Sequence, residues 1–243
     1  MTGIKFENLP IKSWSDTLGP PEIEILAIYT QEGRYMIYEM RRYILQPGKV
    51  AEWEKSFAEA YEVRGKYSQL GGLWHTELGP LNEVIHIWPY ENLQHRFETR
   101  AAASKDASGK WPPSASSHLL VSQETDILEP VKGMTDWTGP QQWGNLYEMR
   151  QYTYAPGTLS KVAPAFGEAI PGRAEIYPVA GVFTSQLGNL NRLIQLFPFK
   201  DWNHRDEVRT EFRKTGVWPP HTDASPVAQL VRHMIPADCS PLH

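Results

Sequence analysis

Tyr38-Glu39-Met40-Arg41-Arg42-Tyr43 occurs twice in the chain, returning as Tyr147-Glu148-Met149-Arg150-Gln151-Tyr152. Pro-Gly follows each copy, at Pro47-Gly48 and Pro156-Gly157. From 38 to 147 the offset is 109 residues, and the same register holds well beyond the motif. It aligns Phe57 with Phe166, Gly72 with Gly181, Leu78-Gly79 with Leu187-Gly188, and Asn82 with Asn191. Further on it aligns His95-Arg96 with His204-Arg205 and Arg100 with Arg209. A two-residue deletion then brings Trp111-Pro112-Pro113 onto Trp218-Pro219-Pro220. Two copies at the spacing of a small domain indicate a duplicated domain, not a solenoid array.

Within the first copy the hydrophobic period changes in a readable order. Residues 35–45 alternate as a strand, and Pro47-Gly48 turns the chain. Val50, Trp53, Phe57, Ala60 and Tyr61 fall on one face of a helix over 49–66. Strands over 73–78 and 83–88 flank a hairpin loop at Gly79-Pro80-Leu81-Asn82. A second helix over 92–105 and a short strand over 125–128 complete the unit. The order β-α-β-β-α-β is the ferredoxin-like arrangement, with helices on one sheet face only. The other face needs a partner, and the second copy supplies it. The expected fold is therefore α+β, two tandem ferredoxin-like units closing an intrachain dimeric α+β barrel. The expected divisions are an extension over 1–34, a first unit over 35–130, a linker over 131–145 and a second unit over 146–243.

Composition excludes several classes. The net charge of −4 carries no basic stripe, which argues against nucleic acid. No apolar run is long enough to span a bilayer, and the N-terminus lacks a signal-peptide core. The single Cys239 makes neither an internal disulfide nor a Cys-based zinc site, which suits a cytoplasmic protein. Neither a Gly-rich phosphate loop nor a Gly-x-Ser-x-Gly elbow is present, so no nucleotide cofactor and no serine hydrolase is expected.

The repeated Tyr-Glu-Met-Arg-x-Tyr, the Pro-Gly, the aromatic-bearing helix, the Gly-Gly before strand two and the Leu-Gly hairpin resemble the NIPSNAP family of the dimeric α+β barrel superfamily. The resemblance covers residues 35–130 and 146–236. It implies the barrel fold. It leaves the chemistry open, since relatives include cofactor-independent monooxygenases, isomerases, haem enzymes and stress-responsive barrel proteins.

A ligand is expected inside the barrel. If apolar residues face the helices, Tyr38, Met40 and Ile44 point outward, and Glu39, Arg41 and Tyr43 point into the barrel. Their recurrence as Glu148, Arg150 and Tyr152 favours a structural role for this trio. Strands two and three differ more between copies. If Leu78 pairs with Glu83, His75 sits opposite His86 beside Glu77, whereas the second copy has Thr184, Gln195 and Gln186. On this reading His75 or His86 is the catalytic base, Glu77 orients it and Arg41 holds a substrate oxygen. Glu39, Tyr43, Trp88, Arg150, Tyr152, Gln186, Gln195 and His221 line the pocket. Two histidines and a carboxylate also match a facial-triad metal site, the lesser reading. The expected function is an enzyme acting on a small apolar or aromatic molecule. Its chemistry is acid–base (isomerase, lyase or hydrolase type) or cofactor-free oxygenation. The alternative is a non-catalytic small-molecule-binding or protein-interaction protein, and a homodimer is compatible with either.

Overall fold

The computed structural model describes residues 36–243. The extension expected over 1–34 lies outside the described residues. Unit one runs β1 (Ile37–Leu45), α1 (Val50–Arg64), β2 (Gly72–Leu78), β3 (Glu83–Tyr90), α2 (Leu93–Ser104), a 3-10 turn (Ser114–Leu119) and β4 (Leu120–Pro130). Unit two repeats it as β5 (Leu146–Thr153), α3 (Leu159–Ile176), β6 (Gly181–Leu187), β7 (Arg192–Phe199), α4 (Trp202–Thr215) and β8 (Ala228–Pro236). The last strand of unit one is longer than its hydrophobic pattern suggests. Ser122 to Glu124 are exposed, yet their backbone still pairs with β1.

All eight strands close one antiparallel barrel in the order β1-β3-β2-β8-β5-β7-β6-β4. The seams between units are β2–β8 and β4–β6. Closure removes every sheet edge from the barrel.

The faces are the reverse of those expected from strand one. Tyr38 and Met40 point into the barrel, where they meet Trp74, Ile85, Ile87, Tyr147, Met149, Phe183, Ile194, Leu196 and Met234 in one buried core. Gly72 shares that face: a Cβ there would stand 2.1 Å from the Trp74 ring. The barrel interior is thus filled largely by these side chains. Glu39, Arg41 and Tyr43 lie on the outer face, under the helices. The inversion has a physical cause. Both faces are buried, and on the helix side Arg96 and Arg100 reach Glu39, so the buried carboxylate finds its partners there.

One mouth of the barrel is closed by the segment read as a linker, whose Met134, Trp137 and Trp143 pack on the barrel core. Trp137 donates its indole N–H to the Ala180 carbonyl. Toward the other end lies a buried ionic layer. Arg232 Nε donates to Glu83 Oε2 at 2.5 Å. Arg192 Nη2 lies 2.6 Å from Asp126 Oδ1, an ion pair not aligned as a hydrogen bond. Both pairs join unit one to unit two.

Candidate functional site

Each unit holds a cavity between its sheet and its helices. In unit one it measures about 420 Å³, within the range of ligand pockets. Strands β1 and β3 form its floor with Arg41, Tyr43, His86 and Trp88, because Arg41 pairs directly with His86 across the two strands. Trp53, Phe57 and Arg64 come from α1, Arg100 from α2 and Trp111 from the following loop. With Ala60 between them, Trp53, Phe57 and Arg64 recur every three or four positions on the buried side of α1, so the helix turns two aromatic rings and one arginine toward the sheet. Trp53 stacks on Phe57 at 5.0 Å between ring centres, and Trp111 meets Phe57 edge-on at 5.8 Å.

Charge is unevenly neutralised here. Glu39 is fully buried and binds three guanidinium groups: Arg41 at 2.7 Å, Arg96 at 2.6 Å and Arg100 at 3.4 Å. Burial acts to raise its pKa. The Arg96 hydrogen bond and the charges of Arg100 and Arg41 outweigh that, so the pKa is lowered and the carboxylate stays ionised. Arg41 also donates from Nε to the Tyr43 hydroxyl at 2.6 Å.

Arg64 is different. It is 1% exposed and has no carboxylate partner among the described residues. Its Nη2 donates to the Tyr90 hydroxyl at 2.9 Å, and its Nη1 has no partner. The guanidinium lies 4.6 Å from the Trp88 ring centre. A ring face attracts a cation but accepts no full charge. Burial lowers the Arg64 pKa.

His86 is 2% exposed. Its Nδ1 accepts the Trp88 indole N–H at 2.6 Å. Burial, then the charges of Arg41, Arg100 and Arg64, push its pKa well below the usual value, so the ring is neutral. A neutral imidazole that accepts at Nδ1 carries its proton at Nε2. That Nε2–H has no partner among the described residues. His86 is therefore a donor poised for an oxygen, not a base.

The expected pairing of His75 with His86 does not form. Observed partners are His75 with Val84 and Leu73 with His86, a shift of two residues, and the other edge of β2 pairs with β8. His75 instead bonds Glu54 of α1 at 2.8 Å, which raises its pKa. Glu77 and Gln186 are exposed, at the outer ends of β2 and β6. His221 is exposed and lines neither cavity. The facial-triad arrangement fails for the same reason: no group of three potential ligands converges among the described residues. Arg41, Glu39, Tyr43 and Trp88 do gather with His86.

Unit two has a smaller cavity of about 250 Å³, lined by Glu148, Arg150, Tyr152, Arg173, Phe197, Arg209, Phe212 and Trp218 among others. Arg150 and Tyr152 thus belong to a separate pocket, not to a second wall of the first. Gln195 stands where His86 stands in unit one and is buried, and Phe197 replaces Trp88. Arg64 and Arg173 are the residues that the sequence reading missed. Their signal was available. They align at the same offset of 109, each a charged residue on the apolar side of the first helix of its unit.

The NIPSNAP family model matches residues 38–133 and again 147–241. The chain is 29% identical to human "Protein NipSnap homolog 3A" over 241 residues, covering 94% of each. In structure it is similar to a candidate monooxygenase of Lactobacillus acidophilus, with a TM-score of 0.58 at 11% identity, covering 84% of this chain and 94% of that one. It is also similar to an anthrone oxidase-like protein, with a TM-score of 0.54 at 10% identity, covering 84% and 92%. At those identities the likeness concerns the fold alone. No helix among the described residues is long and apolar enough to cross a membrane.

Proposed function

This chain belongs to the NIPSNAP family, and from that premise we propose that its first unit is an enzyme site for a small aromatic molecule bearing negative charge on oxygen. One observation carries the reading. Two buried groups without partners, Arg64 Nη1 and the His86 Nε2–H, belong to residues that line one aromatic-walled cavity. Buried donors left open are costly unless something accepts from them, and an anionic oxygen answers both the charge and the hydrogen bonds. Trp53, Phe57, Trp88 and Trp111 provide flat apolar contact for the rest of the molecule.

The donor set also narrows the chemistry. No aspartate or glutamate lines this cavity, and His86 has no lone pair free at Nε2. Proton abstraction by a side chain is thus poorly supplied. Stabilisation of an enolate or phenolate oxygen is well supplied, by a neutral imidazole N–H and the guanidinium groups. That fits cofactor-free oxygenation. There the ionised substrate gives electrons to dioxygen: an activated CH₂ becomes C=O, and the other oxygen atom leaves as water with the two hydrogens. The names carried by the two structural neighbours are compatible with this reading. The missing base favours one rival, a protein that binds such an anion without turning it over.

A thermal-shift screen of aromatic carboxylates, phenols and neutral isosteres tests the reading. The acids should stabilise the protein, and Arg64→Met should weaken that effect about tenfold or more in ligand concentration. Equal stabilisation by acid and amide, or an unchanged response in R64M, would refute it.

A further inference from the structure

The structure assigns a second anion site to unit two: a small carboxylate with an apolar body, held by Arg173 in a cavity that shares no residue with the first. Arg173 is 2% exposed. Its Nε and Nη1 are buried without a hydrogen-bond partner among the described residues. Its guanidinium carbon lies 4.0 Å from the Phe197 ring centre and 4.1 Å from that of Phe212, with Trp218 at 5.4 Å. Three aromatic rings hold the cation in place and supply no counter-charge.

The nearby carboxylate is fully engaged elsewhere. Glu148 accepts from Arg150 at 2.5 Å, Arg205 at 2.6 Å, Arg209 at 3.0 Å and His233 at 3.0 Å. Four arginines and this one glutamate line the cavity, so an unmet positive charge faces the space. Burial lowers the Arg173 pKa to about 9, which still leaves the group charged at neutral pH. A buried cation of this kind costs stability unless an anion meets it.

The two sites differ in what they can do. Unit two lacks the imidazole donor, since Gln195 occupies that position, and its cavity is smaller, about 250 Å³ against about 420 Å³. It suits a compact monocarboxylate, and in place of the imidazole N–H it has the Gln195 amide, which does not line the cavity. Duplication has thus left one site equipped for reaction and another equipped for binding.

Fluorine NMR titration of the whole chain with 4-fluorobenzoate, and with 4-fluorobenzamide as a neutral control, tests this. The wild type should show two sites for the acid and bind the amide at least tenfold more weakly at both. Arg173→Met should abolish one site and spare the other, and Arg64→Met should do the reverse. A wild type with a single site, lost in R64M, would overturn the second site while leaving the unit-one reading intact. So would two sites persisting in R173M. Apo R173M should melt at or above the wild-type temperature, because an uncompensated buried charge is gone. A lower melting point with benzoate binding unchanged would make Arg173 structural and overturn the proposal. Should R173M not fold, Arg173→Lys keeps the charge without the planar fork and should weaken this site alone by about tenfold. Unchanged affinity there would count against the proposal equally.

Discussion

Arg232→Glu is expected to destabilise the protein by at least about 3–5 kcal/mol, the usual cost of breaking a buried ion pair. Total stabilities run to only about 5–15 kcal/mol, so much of the native state's margin would go. The reason lies in the barrel's ionic layer. Arg232 is 2% exposed and bonds both Glu83 oxygens, at 2.5 and 3.2 Å. A carboxylate in its place would bury two like charges together. The double variant Glu83→Arg/Arg232→Glu should recover most of the loss, though not all, since Arg42 Nε lies 3.5 Å from Glu83 and would then face a cation. Urea unfolding measures both. A double variant no more stable than the single one would show that the pair is not what is lost.

The same layer explains why the duplication holds as one chain. Glu83 aligns with Arg192 at the repeat offset, while Asp126 and Arg232 occupy matching places opposite Met40 and Met149. The charges are therefore reversed between units. Two copies of unit one would set Glu83 against Asp126, and two copies of unit two would set Arg192 against Arg232. Unlike units attract and like units repel, which is specificity obtained by repulsion.

His86→Leu is expected to lower turnover by about 10²–10³-fold, the scale of losing one oxyanion donor. His75→Gln should leave turnover within about twofold, since His75 bonds Glu54 away from the cavity. His86→Gln, which installs the group found in unit two, should fall between them. A normal rate in H86L would end the catalytic reading. Acid provides an independent check on the state of this residue. The folded His86 pKa lies well below 6.5, so the unfolded chain binds its proton more readily. The stability linked to this group is complete above about pH 6.5 and is lost as pH falls from there. His75 opposes it, because a raised pKa adds stability in acid. H86L should thus flatten the acid loss, and H75Q should steepen it.

The duplication, the element order and barrel closure were all legible, because a repeat at one offset needs no knowledge of contacts. The face assignment was not. Alternation in β1 separates Tyr38 and Met40 from Glu39 and Arg41, but it does not say which set turns toward the helices. Charged residues on a helix-covered face are an unusual choice, and the groups that permit it, Arg96 and Arg100, come from α2 more than fifty residues later. The hairpin register failed for a similar reason. Beyond His75, Thr76 and Leu78 have their strand partners on β8, which is far along the chain and not visible in the hairpin itself. His86 was found because its repeat partner is a glutamine. Arg64 and Arg173 escaped notice because identical residues look structural, although their identity marks the one feature both cavities share.

On the proposed reading, ligands bind between sheet and helices, not within the barrel. Fluorine NMR of protein labelled with 5-fluorotryptophan, titrated with 2-naphthoate, tests it directly. Trp88 and Trp111 line the unit-one cavity, whereas Trp74 is buried in the barrel core. The Trp88 and Trp111 resonances should shift with ligand while Trp74 stays fixed. A shift confined to Trp74 would place the ligand inside the barrel and overturn the proposed site.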